Sequence, residues 1–213
     1  MEGGQTPVAW FSENVHIPFL ADTATMMIAA YRDAYDECRS RPREVARDLR
    51  GHLRRALIEE RWPIVAQRFA DEGITVRYRP NHTRTSFYAE LRFGRVILTQ
   101  SYVESPETII RRAEYRSTLA RPNQPDLFCE NPPPLPTDPL YAILIHGEDS
   151  KQHNPYFADI VFPDQKCQEY LGRVKLFDLC WSSIEPLLQT TSQEEVIPDE
   201  ATPELLPQEN EEA

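Results

Sequence analysis

The chain has 213 residues, 40% of them hydrophobic, and a formal net charge of −11 at pH 7; this supplies a real core for one domain with appendages. No window approaches the ~18–20 consecutive apolar residues of a membrane-spanning helix, and Glu13, His16 and Asp22 interrupt the apolar stretches at the start, so neither a span nor a secretory signal is expected. Cys38, Cys129, Cys167 and Cys180 form no Cys-x-x-Cys pair, which predicts reduced thiols and a cytoplasmic location.

Residues 1–21 read as an irregular arm that Trp10, Phe11, Ile17 and Phe19 pin to a core. A helix is predicted from Thr23 to Cys38, capped by Asp22, because Met27, Ala30, Tyr31, Ala34, Tyr35 and Cys38 recur at helical spacing. Ser40 and Pro42 predict a second helix start, running to about Arg61. Pro63 then opens or kinks a third helix, which Gly73 ends.

After Gly73 the apolar period becomes two. Ile74, Val76 and Tyr78 alternate with Thr75, Arg77 and Arg79, and Phe87, Ala89 and Leu91 alternate with Tyr88, Glu90 and Arg92. The Phe93-Gly94 pair turns the chain into a hairpin partner at 96–103. Ser105-Pro106-Glu107 predicts a helix reaching about Ala120. The seven prolines of residues 121–139, including Pro132–Pro136, predict an extended loop, either a linker or a ligand for an aromatic groove. Leu140–Ile145 is almost wholly apolar and predicts a strand buried on both faces, pairing antiparallel with Tyr156–Phe162. A last helix lies within Val174–Leu188, and the acidic residues from Gln189 onward predict a disordered tail. The expected fold is α+β: N-terminal helices, then a mainly antiparallel sheet of about five strands with further helices, as one domain over residues 1–188.

Charge is unevenly placed. The chain has 20 Arg and 3 Lys; residues 1–121 carry a local charge of +3 and residues 122–213 one of −14. At 100° per residue, Arg43, Arg47, Arg50 and Arg54 fall within a sector about 60° wide, while Val45, Ala46, Leu49, Leu53, Ala56 and Leu57 fill another arc that is the expected core contact. Neighbouring like charges cost a helix a few tenths of a kcal/mol, roughly, per pair. The stripe therefore implies an anionic partner, which guanidinium groups grip in bidentate fashion. Arg77 and Arg79 alternate outward from the first strand and widen the patch, and Tyr88 is placed to stack on a base. Because the whole chain is acidic, an acidic protein surface is favoured over nucleic acid, and the chain's own tail is a possible intramolecular partner. The expected function is therefore macromolecule binding without catalysis, with no cofactor, no metal and no membrane.

The segment 146–164 holds a second cluster: His146, Glu148, Asp149, His153, Asp159 and Asp164. His146, His153 and Asp159 are the residue types of a two-histidine, one-carboxylate metal set, so a metal-dependent hydrolase centred on these residues and Asp149 is the alternative. Equally, Asp159, set among Phe157, Ala158, Ile160 and Val161, needs an arginine, a hydroxyl or a metal as partner. The order helix, three strands, helix, strand between Pro63 and Ile145 resembles the core of the restriction-endonuclease-like superfamily. That resemblance implies an Asp and a Glu-x-Lys set holding Mg²⁺. Glu90-Leu91-Arg92 is the nearest match and departs from it, since the three strands contain no Asp and arginine does not give up its proton.

Overall fold

The computed structural model describes residues 6–123, 139–148 and 153–190. In chain order the elements are α1 (Pro7–Asn14), α2 (Ile17–Cys38), α3 (Arg43–Arg68), β1 (Thr75–Pro80), β2 (Phe87–Phe93), β3 (Val96–Tyr102), α4 (Glu114–Ala120), β4 (Leu140–Glu148), β5 (Pro155–Pro163), β6 (Tyr170–Lys175) and α5 (Leu176–Thr190). The fold is α+β. Its six strands lie in the order β1-β2-β3-β4-β5-β6, and every neighbouring pair is antiparallel except β3 with β4. That parallel step requires a crossover, and the chain between Tyr102 and Leu140, which carries α4, makes it.

Both faces of the sheet are covered, so β4 is apolar throughout, as its sequence predicts. On one face Ala142, Leu144, Leu91, Leu98 and Ile160 join Phe19, Met27, Ile58 and Trp62 of the helices. On the other, Tyr141, Ile143, Ile145 and Val161 pack with Ile110 and Ala120 of the crossover. The sixth strand, β6, is absent from the sequence reading because Tyr170-Leu171-Gly172-Arg173 has no clean apolar alternation. It pairs with β5 in a ladder that places Asp159 opposite Lys175.

Several predicted boundaries move, each for a local reason. Residues 1–21 are not simply an irregular arm. Thr6 accepts the Ala9 N–H and Pro7 opens the helix α1, whose Phe11 is buried edge-on against Phe93 and Phe162. The second helix starts at Ile17 rather than Thr23 because His16 Nδ1 accepts the Phe19 N–H; Asp22 is no cap and pairs with Arg68 at 2.9 Å. Ser40 does not cap α3, whose N-cap position is Pro42. The helix predicted from Ser105 shrinks to Glu114–Ala120. The backbone before it is held by β6 side chains: the Ile110 N–H donates to the Tyr170 hydroxyl, which donates to the Thr108 carbonyl, and Arg173 donates to the Pro106 carbonyl. The β2–β3 turn is Gly94-Arg95, with Gly94 first at φ +51°, one residue later than expected. The Pro132–Pro136 run, Asp149, Cys129 and the acidic tail beyond Thr190 lie outside the described residues. Cys38, Cys167 and Cys180 are free thiols, all buried.

The largest correction concerns α3, which passes through Pro63 without ending. A proline in a helix removes one N–H and frees the carbonyl four residues earlier, here that of Glu59. The Tyr78 hydroxyl of β1 donates to this carbonyl at 2.8 Å. Continuity through Pro63 locks the phase of all 26 residues of α3 to Trp62, Val65 and Ala66, which are buried. Ile58, Arg54, Arg50 and Arg47 continue that inward sector, whereas Val45 is 50% exposed and Ala56 is exposed. The apolar arc taken for the core contact is therefore the outer one, with Leu49, Leu53 and Leu57 half-buried and Ala46 alone buried.

Removing the Tyr78 hydroxyl (Tyr78→Phe) is expected to cost about 1 kcal/mol, the usual net worth of one hydrogen bond. In a Pro63→Ala background the restored N–H reclaims the Glu59 carbonyl, so the same change costs clearly less. A double-mutant cycle on urea unfolding checks the coupling.

Candidate functional site

Turning the arginine sector inward sorts its members. Arg54 is 1% exposed, pairs with Glu148 at the end of β4, and lies over the Tyr31 ring at 4.5 Å from its centroid. Arg50 is half-buried, over the Tyr35 ring at 5.1 Å. Arg43 and Arg47 are exposed on the part of α3 that runs past the sheet. Arg47 meets Asp48 at 3.6 Å, and Arg43 has no ionic partner among the described residues.

Arg77 and Arg79 do not extend this stripe. Arg77 stands opposite Glu90 and Arg79 opposite Tyr88, so both lie on the sheet face of α4, whereas α3 covers the face of Ala89 and Leu91. Arg79 and Arg92 flank the buried Glu90 at 3.7 and 2.7 Å, which occupies the nearest match to a Glu-x-Lys motif with its own cations. Tyr88 is not free to stack on a base: its ring lies on Tyr115 at 3.9 Å between centroids and 19° between planes.

The second cluster is dispersed in the same way. His146 pairs with Ala158 and Ile145 with Asp159; since successive residues alternate faces, His146 and Asp159 point to opposite sides of the sheet. Asp159 is partnered by Arg173 at 3.4 Å, and burial raises its carboxyl against that pull. Burial also raises Asp164, but the backbone N–H groups of Glu169, Gln168 and Lys166 more than offset it and hold it low; it serves a turn. His153 lies against Tyr35 at 3.4 Å between centroids, lowered by burial and by Arg50. Among the described residues no three His, Cys, Asp or Glu side chains are placed to hold a metal ion. The metal-dependent hydrolase centre therefore does not assemble.

What does assemble is a buried hydrogen-bonded chain whose polarity can be read from one end. Glu59 is a carboxylate, so it accepts from Gln100 Nε2 at 2.9 Å. Gln100 therefore turns Oε1 toward His146 Nε2, at 2.8 Å, and Nε2 must carry the proton. His146 Nδ1 is left as an acceptor, and the Tyr31 hydroxyl donates to it at 2.6 Å. The imidazole is fully buried, and desolvation, reinforced by the Arg54 charge, lowers it to about 3. Burial likewise raises Tyr31, so it stays a donor. Glu59, Gln100 and Tyr31 escape sequence reading, although an uncharged polar residue inside Val96–Thr99-Gln100 is the signal that marks the strand.

Gln100 also floors a surface cleft of about 320 Å³ at the carboxyl end of β3. One wall is α3, through Asp48, Gly51, His52 and Arg55; the other is α4, through Tyr115 and Arg116, with Ser101 and Tyr102 between them. Gly51 sits mid-helix, where glycine costs about 1 kcal/mol relative to alanine, yet a Cβ there would meet nothing within 4 Å. Arg55 is anchored by Glu59 at 3.2 Å and the Phe87 carbonyl at 3.0 Å. Arg116 is anchored by the Arg111 carbonyl at 2.7 Å and Ser101 Oγ at 3.1 Å, with its buried Nε unpartnered among the described residues.

No protein-family profile, no curated protein and no solved structure matches this chain. No described helix is long and apolar enough to cross a membrane.

Two outcomes follow from the buried groups. The unfolded chain protonates the imidazole near pH 6.5, while the folded chain keeps it neutral down to about 3. Between those values the unfolded state binds more protons, so stability falls as pH falls, by roughly one kcal/mol per pH unit. Urea midpoints between pH 6.5 and 5 are expected to show this slope, reduced in His146→Gln, the remainder belonging to His153. Glu148→Ala, which strands Arg54 inside, is expected to cost about 3–5 kcal/mol, whereas Arg54→Met with Glu148→Leu together cost far less.

Proposed function

We propose that this chain is a binding protein that docks an acidic protein segment on the corner formed by the α2–α3 turn and the first turns of α3. One observation carries the reading: Arg43 and Arg47 are exposed at the positive end of a helix, where cations are disfavoured, and only the adjacent Asp48 approaches them. Arg39 and Arg41, exposed in the turn, enlarge the same corner, with Asp36 3.9 Å from Arg39. Arg50 supports the corner from below through Tyr35, and Arg54 is too deeply buried to touch a partner.

The chain's own acidic end is a competitor for this corner. Residues 191–213 carry eight acidic side chains and no basic one. The described chain stops at Thr190 of α5, whose Leu187 carbonyl accepts from Arg32. Arg32 stands two helical turns, about 10 Å, before Arg39. The acidic end therefore departs close to the cations it would cover.

A labelled poly-glutamate peptide is expected to bind the full chain with an affinity that falls with salt and drops about tenfold or more, 1.4 kcal/mol, in Arg43→Glu with Arg47→Glu. The melting temperature should hardly change, since both groups are exposed. Glu194→Gln, Glu195→Gln, Asp199→Asn and Glu200→Asn together should tighten binding. Peptide binding indifferent to the double reversal sinks the reading; tighter, reversal-sensitive binding of single- or double-stranded DNA would reassign the corner to nucleic acid.

A further inference from the structure

The cleft at the carboxyl end of β3 is unrelated to the arginine corner and independent of the acidic-partner reading. β3 and β4 are the parallel pair of the described sheet, and their crossover carries α4 away on one face while α3 covers the other. A crevice beyond the carboxyl ends of parallel strands is where open sheets receive ligands. Here it has a volume of about 320 Å³, at the lower end of the range for small-molecule sites.

Its walls have a definite chemistry. Arg55 and Arg116 approach from opposite helices, each with part of its guanidinium already held by backbone or side-chain oxygen. Fixed cations lose little freedom when an anion arrives. The acids nearby are directed elsewhere: Asp48 toward Arg47, and Glu59 toward Arg55 and Gln100. Tyr102 is 41% exposed; Tyr115 has one ring face on Tyr88 and Arg116 5.5 Å from its centroid. Gly51 contributes what no side chain would, namely space, at a helix position where nothing in the fold requires glycine.

We propose that this cleft binds a mononucleotide-sized aromatic anion, its phosphate between Arg55 and Arg116 and its ring against the tyrosines. The probes are AMP, GMP, CMP and UMP on the full chain, with inorganic phosphate as the anion without a ring and the parent nucleosides as rings without an anion. At least one nucleotide is expected to raise the melting temperature and to bind by calorimetry with a Kd under about 1 mM, phosphate and nucleoside each about tenfold weaker or worse. Gly51→Leu, which fills the cleft with a better helix former, should abolish binding while keeping the fold. Should that variant misfold, His52→Glu sets a carboxylate at the exposed rim and should weaken binding tenfold or more, about 1.4 kcal/mol. Failure of all four nucleotides to bind overturns the proposal. So does binding that a folded Gly51→Leu and His52→Glu both leave unchanged.

Discussion

Arg54 carries a charge into a site that is 1% exposed, and a buried charge is tolerated only where other groups replace its water. Tyr31 presents its ring face from α2, and Glu148 its carboxylate from the end of β4. One side chain thereby ties two helices to the centre of the sheet. The tie fixes how far α3 is rotated about its axis, and that rotation sets Glu59 against Gln100. Gln100 then has one orientation, His146 one tautomer and Tyr31 one role as donor. The hydrogen-bonded chain and the ion pair meet again at Tyr31, whose hydroxyl serves one and whose ring serves the other.

The same rotation decides what the surface offers. Beyond the sheet, the inward sector of α3 has no core left to face, and there Arg43 and Arg47 emerge together. One flank over, Asp48, Gly51, His52 and Arg55 are brought to the open end of β3. The arginine corner and the cleft are thus neighbouring consequences of one helix placement, and both depend on residues that neither of them contains.

Much of the architecture was legible in the sequence because it rests on short-range signals. The period-two runs gave β1 to β3, the unbroken apolar run gave β4 as a strand covered on both faces, and Gly73 ended the third helical segment at φ +75°. The errors lie where a distant group satisfies a local need. Pro63 is a strong stop signal, and only Tyr78, fifteen residues on, shows why the helix continues. Ser105-Pro106-Glu107 is a strong start signal, and only Tyr170 and Arg173 show why no helix forms there. For the site, the arginine stripe was visible as a pattern but its direction was not. Splitting α3 at Pro63 detached the stripe from Trp62, the residue that sets its phase.

The first four turns of α3 carry two arcs that are each suited to an interior, one apolar and one made of arginines that aromatic rings and a carboxylate can receive. Burying the apolar arc of Val45, Leu49, Leu53 and Ala56 would stabilise more by area alone, since an ion pair removed from water rarely repays its desolvation. That rotation would, however, turn Trp62 and Val65 outward, because the helix is continuous, and it would leave Glu148 beside Tyr31 with no cation. The two halves of α3 thus oppose the alternative for different reasons, one through lost apolar burial and the other through an orphaned carboxylate. Arg54 and Glu148 select a single rotation of the helix more than they stabilise it, the best-attested use of a buried polar pair. The half-exposed apolar arc is the consequence of that choice.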